Sequence, residues 1–176
     1  MEIRFPSTTT LAISALALSA LSTTVWAGPG HADGHGDSAI GKPGVAANAK
    51  RTISIDMSDA MRFTPANINA KQGETIRFIV KNSGKLKHEF VLGTEKELKE
   101  HYEEMKKNPE MEHDDTNSVT VAPGKTGEIV WQFTKAGKVD FACLLPGHYT
   151  AGMKGLVNVA SNKIPAKKDD HVQHQH

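Results

Sequence analysis

The stretch "GEIVWQFTKAGKVDFACLLPGHYTAGMKGLVNVA", residues 127–160, decides how this chain is read. Its first residues alternate, with Ile129, Trp131 and Phe133 on one face, the period of a half-buried strand. Ala136-Gly137 is a turn cue, "KVDFAC" reads as a second strand and "KGLVNVA" as a third. Between the last two lie the only cysteine of the chain, Cys143, then His148 five residues on and Met153 five further. Pro146-Gly147 forces a turn ahead of His148, and Gly152 frees the backbone to bring Met153 back. A thiol, an imidazole and a thioether can then point at one place, which a continuous strand, with its alternating faces, would prevent.

Working outward, "RTISIDM" alternates through Ile53, Ile55 and Met57, and "ETIRFIV" sets Ile76, Phe78 and Val80 on one face. "HEFVL" and "SVTVA" bring the strands to seven, punctuated at Gly73, Asn82 to Gly84 and Pro123-Gly124. Short strands at this spacing predict an all-β fold, an antiparallel Greek-key β-sandwich. One segment departs from period two. In "TEKELKEHYEEMKK", Thr94 and Glu97 form a capping box, while Leu98, Tyr102 and Met105 share a face. Glu95-Lys99 and Glu103-Lys107 are i,i+4 pairs, and Asn108-Pro109 stops the run, so residues 94–108 are expected to be an inserted α-helix.

The ends set the compartment. Residues 1–27 carry Arg4, an apolar run from Leu11 to Leu21 and a Val25-Trp26-Ala27 end, the layout of a cleaved secretory signal peptide. The run falls short of the roughly 20 residues a membrane helix needs, so no stable membrane insertion is expected after cleavage. Residues 28–49, rich in Gly, Ala and His, and residues 162–176, polar and histidine-bearing, are expected to be mobile tails around a single domain at 50–161. The formal charge is +1, and removing Glu2 with Arg4 leaves it unchanged, so nothing argues for nucleic acid as a partner. A lone cysteine in an exported chain makes no internal disulfide; it is a free thiol, an intermolecular bridge or a metal ligand.

Soft sulfur donors beside imidazole suit copper, whose cuprous state prefers sulfur and whose cupric state accepts nitrogen. A trigonal site needs a second imidazole, and His88 is the best candidate, because "NSGKLKHEFVL" leads from a turn directly into a strand. His31, His35, His171, His174 and His176 fall in the tails, and His101 and His113 in the helical insert. The expected ligands are therefore His88, Cys143 and His148, with Met153 as a weak axial donor. The bland alternative for each is an inert core cysteine, a polar loop histidine and a core methionine. Four filled positions leave no open place for a substrate, unlike a catalytic metal centre. A hydrolase with Cys143 as nucleophile lacks any legible oxyanion device, and a multicopper oxidase lacks H-x-H pairs in the body. The apolar or small residues Leu144, Leu145, Pro146, Ala151 and Gly152 suit either a docking face or a lid over the site.

The C-x4-H-x4-M loop after a strand, with an upstream histidine after an N-x-G turn, resembles the cupredoxins, and its length is similar to the ligand loop of azurin and auracyanin. More narrowly, "MRFTPANI", "KHEFVLGT", "MEHDD", "APGKTGEIVWQF" and "FACLLPGHYTAGMKG" resemble the small periplasmic cupredoxins of bacterial copper tolerance, the CopI type. The resemblance covers Arg51 to Ala160 and implies a periplasmic protein with one type 1 copper held by His88, Cys143, His148 and Met153. The paired-cysteine disulfide of azurin is missing. Two functions follow: copper tolerance, with copper ions as the partner and Cu(I) oxidation within reach, or electron shuttling between protein redox partners. Met57, Met61, His101, Met105, Met111 and His113 could hold a second copper, or Met57 and Met105 could simply be core.

Overall fold

A computed structural model describes residues 38–109 and 115–162. They form two five-stranded sheets packed face to face with one helix, the sandwich expected from the alternating segments. The first sheet has the order β1-β8-β5-β2-β3, with β1 Lys42–Pro43, β2 Arg51–Ser58, β3 Arg62–Thr64, β5 Thr75–Asn82 and β8 Thr126–Gln132. The second has the order β4-β10-β9-β6-β7, with β4 Asn67–Lys71, β6 His88–Gly93, β7 Ser118–Val121, β9 Gly137–Ala142 and β10 Lys154–Ala160.

Pairing is not uniformly antiparallel. β2 runs parallel to β5, with Ile53 opposite Phe78, and β10 runs parallel to β4, with Val157 opposite Ile68. In both parallel pairs the chain crosses to the other sheet and back between the partners. Three strands carried too little apolar pattern to be expected. In β4, "NINAK", only Ile68 and Ala70 face the core, and β1 and β3 are two and three residues long. The residues around β1 fall in the segment 28–49 expected to be a tail. Here Ile40 is buried and accepts a hydrogen bond from Trp131 Nε1 at 2.8 Å, and Lys42 and Pro43 pair with Gln132 and Trp131. An apolar anchor closing on a tryptophan far along the chain leaves no local periodicity to read.

Between the sheets lies an aromatic cluster from both layers. Phe63 packs edge-on against Phe90 and Phe141, with centroids 5.8 and 5.1 Å apart, and Phe78 meets Phe90 and Phe133 at 5.6 and 6.2 Å. Phe78, Phe90, Phe133 and Phe141 have no exposed surface, and truncating such a ring typically costs about 3–5 kcal/mol. Helix α1, Glu95–Lys107, has the expected capping box: Thr94 Oγ1 accepts from the Glu97 amide, and Glu97 Oε2 accepts from the Thr94 amide at 2.8 Å. Its buried face is Leu98, Tyr102 and Met105, packed on the outer side of β6 and β9. Lys99 donates to Glu95 at 2.6 Å, as the i,i+4 spacing predicts, while Glu103 pairs with Lys106 at 2.8 Å. Among the described residues no helix is long and apolar enough to cross a membrane.

Candidate metal centre

Three strand ends meet at one pole of the sandwich. β9 ends at Ala142, so Cys143 is the next residue, and β10 opens at Lys154, directly after Met153. The β9–β10 register, Ala142 opposite Lys154, continues one step further through Cys143 N–H donating to Met153 O at 3.1 Å. The nine residues between are wound tight. His148 N–H donates to Leu145 O at 3.0 Å, and Met153 N–H donates to His148 O at 3.1 Å. Gly147 and Gly152 make this possible with φ of 87° and 91°, values most side chains resist.

His88 comes from the other edge of β9, at the first position of β6. Its turn is held by Asn82, a fully buried amide that donates to Leu86 O at 2.7 Å and to Val121 O at 2.9 Å, and accepts from Gly84 N–H at 2.9 Å. The N-x-G turn thus aims the imidazole, because every polar atom of Asn82 is tied to backbone on either side of it.

The outcome is that His88, Cys143 and His148 offer ligand atoms that all lie within 4.8 Å of one another. His148 Nδ1 is 3.2 Å from His88 Nδ1 and 3.3 Å from Cys143 Sγ. His88, Cys143 and Met153 have no exposed surface, and only His148 of the four reaches solvent. Sγ also accepts the Glu89 amide hydrogen at 3.3 Å. Burial pushes the Cys143 thiol up to about 12, against the pull of the Glu89 and Leu145 amides. Burial, with His88 alongside, lowers His148 below its usual 6.5. Both shifts leave the neutral side chains side by side, ready for a cation to displace the thiol proton. Two imidazole nitrogens and one sulfur are a soft-to-borderline donor set, which fits copper and does not fit calcium or magnesium.

Two neighbours of the centre gave no signal in the sequence. Asp59, in the turn between β2 and β3, has Oδ1 3.2 Å from His88 Nε2, and the Lys85 amide that donates to Oδ2 at 2.8 Å leads the causes that hold its carboxyl below the usual range. Tyr149, next to His148, stacks on Tyr102 of α1 with centroids 5.0 Å apart, and Lys154 Nζ caps it at 3.7 Å. The Asp59–His88 and Tyr102–Tyr149 contacts join residues far apart in sequence, so no local pattern announces them.

Four of the six residues read as a second donor set lie among those described. Met57 and Met105 are core residues with 0% and 1% exposure, and Met61 is partly buried against the same core. His101 is half-buried on α1, and Met111 and His113 lie outside the described residues. Among the described residues, His88, Cys143 and His148 are the one group of three or more His, Cys, Asp or Glu side chains placed to hold a metal ion.

Residues 49–160 match the family of copper binding proteins described as plastocyanin/azurin. The copper-resistant cuproprotein CopI of Rubrivivax gelatinosus is 54% identical over 135 residues, 75% of this chain and 82% of that protein. CopI of Pseudomonas aeruginosa is 42% identical over 154 residues, covering 71% of this chain and 84% of that protein. Among solved structures, reduced auracyanin of Roseiflexus castenholzii superposes with a TM-score of 0.55 at 25% identity, covering 64% of this chain and 98% of its own.

Proposed function

This chain belongs to the plastocyanin/azurin family of copper binding proteins, and from that premise we propose that it is a periplasmic cuproprotein of copper tolerance, with one type 1 copper on His88, Cys143, His148 and Met153. The observation that carries the proposal is the convergence of ligand atoms of the buried His88 and Cys143 and the partly buried His148 within 4.8 Å. Copper supplies a one-electron couple there. The protein's part is to hold donors suited to both oxidation states, so that little has to move when the charge changes. Cys143 would bind as thiolate and His88 and His148 as neutral imidazoles, with Met153, whose backbone is bonded to that of Cys143 and His148, as the fourth donor. The curated relatives named as copper-resistant support tolerance as the setting. Residues 1–27 are read as a signal peptide removed on export, in keeping with that setting.

The half-exposed edge of His148 favours a second reading, a soluble electron shuttle, since an electron can cross there without opening the pocket. Visible and EPR spectra of the copper-loaded protein, with a metal count per chain, test the site. Wild type should hold one copper with an intense thiolate-to-copper band, and Cys143→Ser should lose the band. A band that persists in Cys143→Ser overturns the assignment. Growth on copper separates the two readings: a deletion strain should be copper-sensitive under tolerance and indifferent under pure shuttling.

A further inference from the structure

The turn between β2 and β3 touches the centre at two points. At its start, Asp59 Oδ1 lies 3.2 Å from His88 Nε2. At its end, Arg62 Nη1 donates to Ala151 O at 3.3 Å and to Gly152 O at 3.5 Å, the two carbonyls that precede Met153, and to Met61 O at 2.9 Å. The turn is built to stay put. Met61 takes a positive φ of 55°, its N–H donates to Ser58 O at 3.0 Å, and Arg62 pairs with Ser58 across the two strands.

Asp59 is further locked by the loop ahead of His88. Its Oδ2 accepts from the Lys85 amide at 2.8 Å and its Oδ1 from the Leu86 amide at 3.2 Å. Gly84 lies so close that a Cβ there would overlap Asp59 Oδ1 and come within 3.1 Å of the Asp59 amide nitrogen. The carboxylate, 36% exposed, is therefore held by two backbone donors against a glycine and the buried ring of His88. An ionised carboxylate can only accept, so the hydrogen on His88 must sit on Nε2. That leaves the Nδ1 lone pair facing His148 and Cys143.

We infer that Asp59 and Arg62 make the β2–β3 turn a two-point clamp on the copper centre, Asp59 fixing the tautomer and raising the donor strength of His88, and Arg62 holding the backbone that presents Met153. The inference rests on the copper-site reading above. Neither residue is a ligand; both act through the groups they hold. A carboxylate behind an imidazole strengthens it as a donor, and loss of such a partner typically lowers metal affinity about 10–100-fold. Negative charge there stabilises the cupric state more than the cuprous one, so its removal should weaken Cu(II) binding more than Cu(I) binding. Arg62 acts on the other end of the site, where release of the Ala151 and Gly152 carbonyls loosens the axial side without touching His88.

The test compares Asp59→Ala, Gly84→Ala and Arg62→Ala with wild type, first without metal and then with copper alone. In the apoprotein, nitrogen-detected NMR should show His88 as a single Nε2–H tautomer, and Asp59→Ala should mix the two tautomers. Gly84→Ala should copy Asp59→Ala by displacing the carboxylate, which provides a second route if one variant folds poorly. With copper, Asp59→Ala should keep one metal and the thiolate band. Its Cu(II) affinity should fall at least tenfold more than its Cu(I) affinity, equivalent to a rise of about 59 mV in potential. Arg62→Ala should alter the EPR hyperfine pattern at constant His88 tautomer, and Arg62→Lys should restore it. An unchanged tautomer and potential in Asp59→Ala, with only the melting temperature lowered, overturns the clamp. Absence of any Cys143-dependent band in wild type would instead overturn the ligand reading, and the apoprotein tautomer would still decide the role of Asp59.

Discussion

Copper binding to the apoprotein should release about one proton and tighten about tenfold per pH unit between pH 7 and 9. The magnitude comes from Cys143. Its side chain has no exposed surface, and burial pushes the thiol from 9.0 up to about 12. A thiol binds metal as thiolate, so the metal must displace that proton. Each pH unit below the thiol's own value costs about 1.4 kcal/mol of binding. At pH 7 the cost is about 7 kcal/mol for a thiol near 12, against about 3 kcal/mol for one at the ordinary 9.0. His148 sets the lower boundary. Burial and the nearby His88 lower it from 6.5, so protons compete for that imidazole only below its usual range, and the slope should steepen there. The assay is competition against a chelator of known affinity at several pH values, paired with proton release in weak buffer. An affinity independent of pH between 7 and 9, with no proton released, would mean that copper does not displace the Cys143 proton.

The same thiol predicts an alkaline weakness of the apoprotein. A folded value raised above the unfolded 9.0 means that its contribution is complete below pH 9 and is lost as pH rises from 9 toward 12, by up to about 4 kcal/mol. Urea melts of the apoprotein against Cys143→Ala should show the loss only in wild type. Gly155 lies opposite Phe141 in the β9–β10 ladder, and a Cβ there would overlap the Phe141 ring and sit 2.7 Å from Ala66 O. Gly155→Ala should therefore lower the stability of the apoprotein by about 1–3 kcal/mol, read from the same melts.

The sequence by itself determined the sandwich and its helix. Alternation at Ile76, Phe78 and Val80, or at Ile129, Trp131 and Phe133, is enough to define a strand with one buried face, because side chains on a strand alternate by geometry. The capping box at Thr94 and the face of Leu98, Tyr102 and Met105 likewise belong to one turn or one helix. The candidate donors were legible for a similar reason: Cys143, His148 and Met153 share a single loop, and the N-x-G turn before His88 marks where an imidazole can be aimed. Tertiary structure decided what depends on distant pairing. The parallel neighbours β2 and β5, the anchoring of Ile40 by Trp131, and the burial of Met57 and Met105 in the core all follow from which strands meet. Asp59 beside His88 is the clearest case. Twenty-nine residues separate them, and no propensity or period links an aspartate in one turn to a histidine beyond another. Only the stacking of two sheets brings that carboxylate behind the ring, because long-range contacts are set by the packing of whole layers and leave no local trace in the chain.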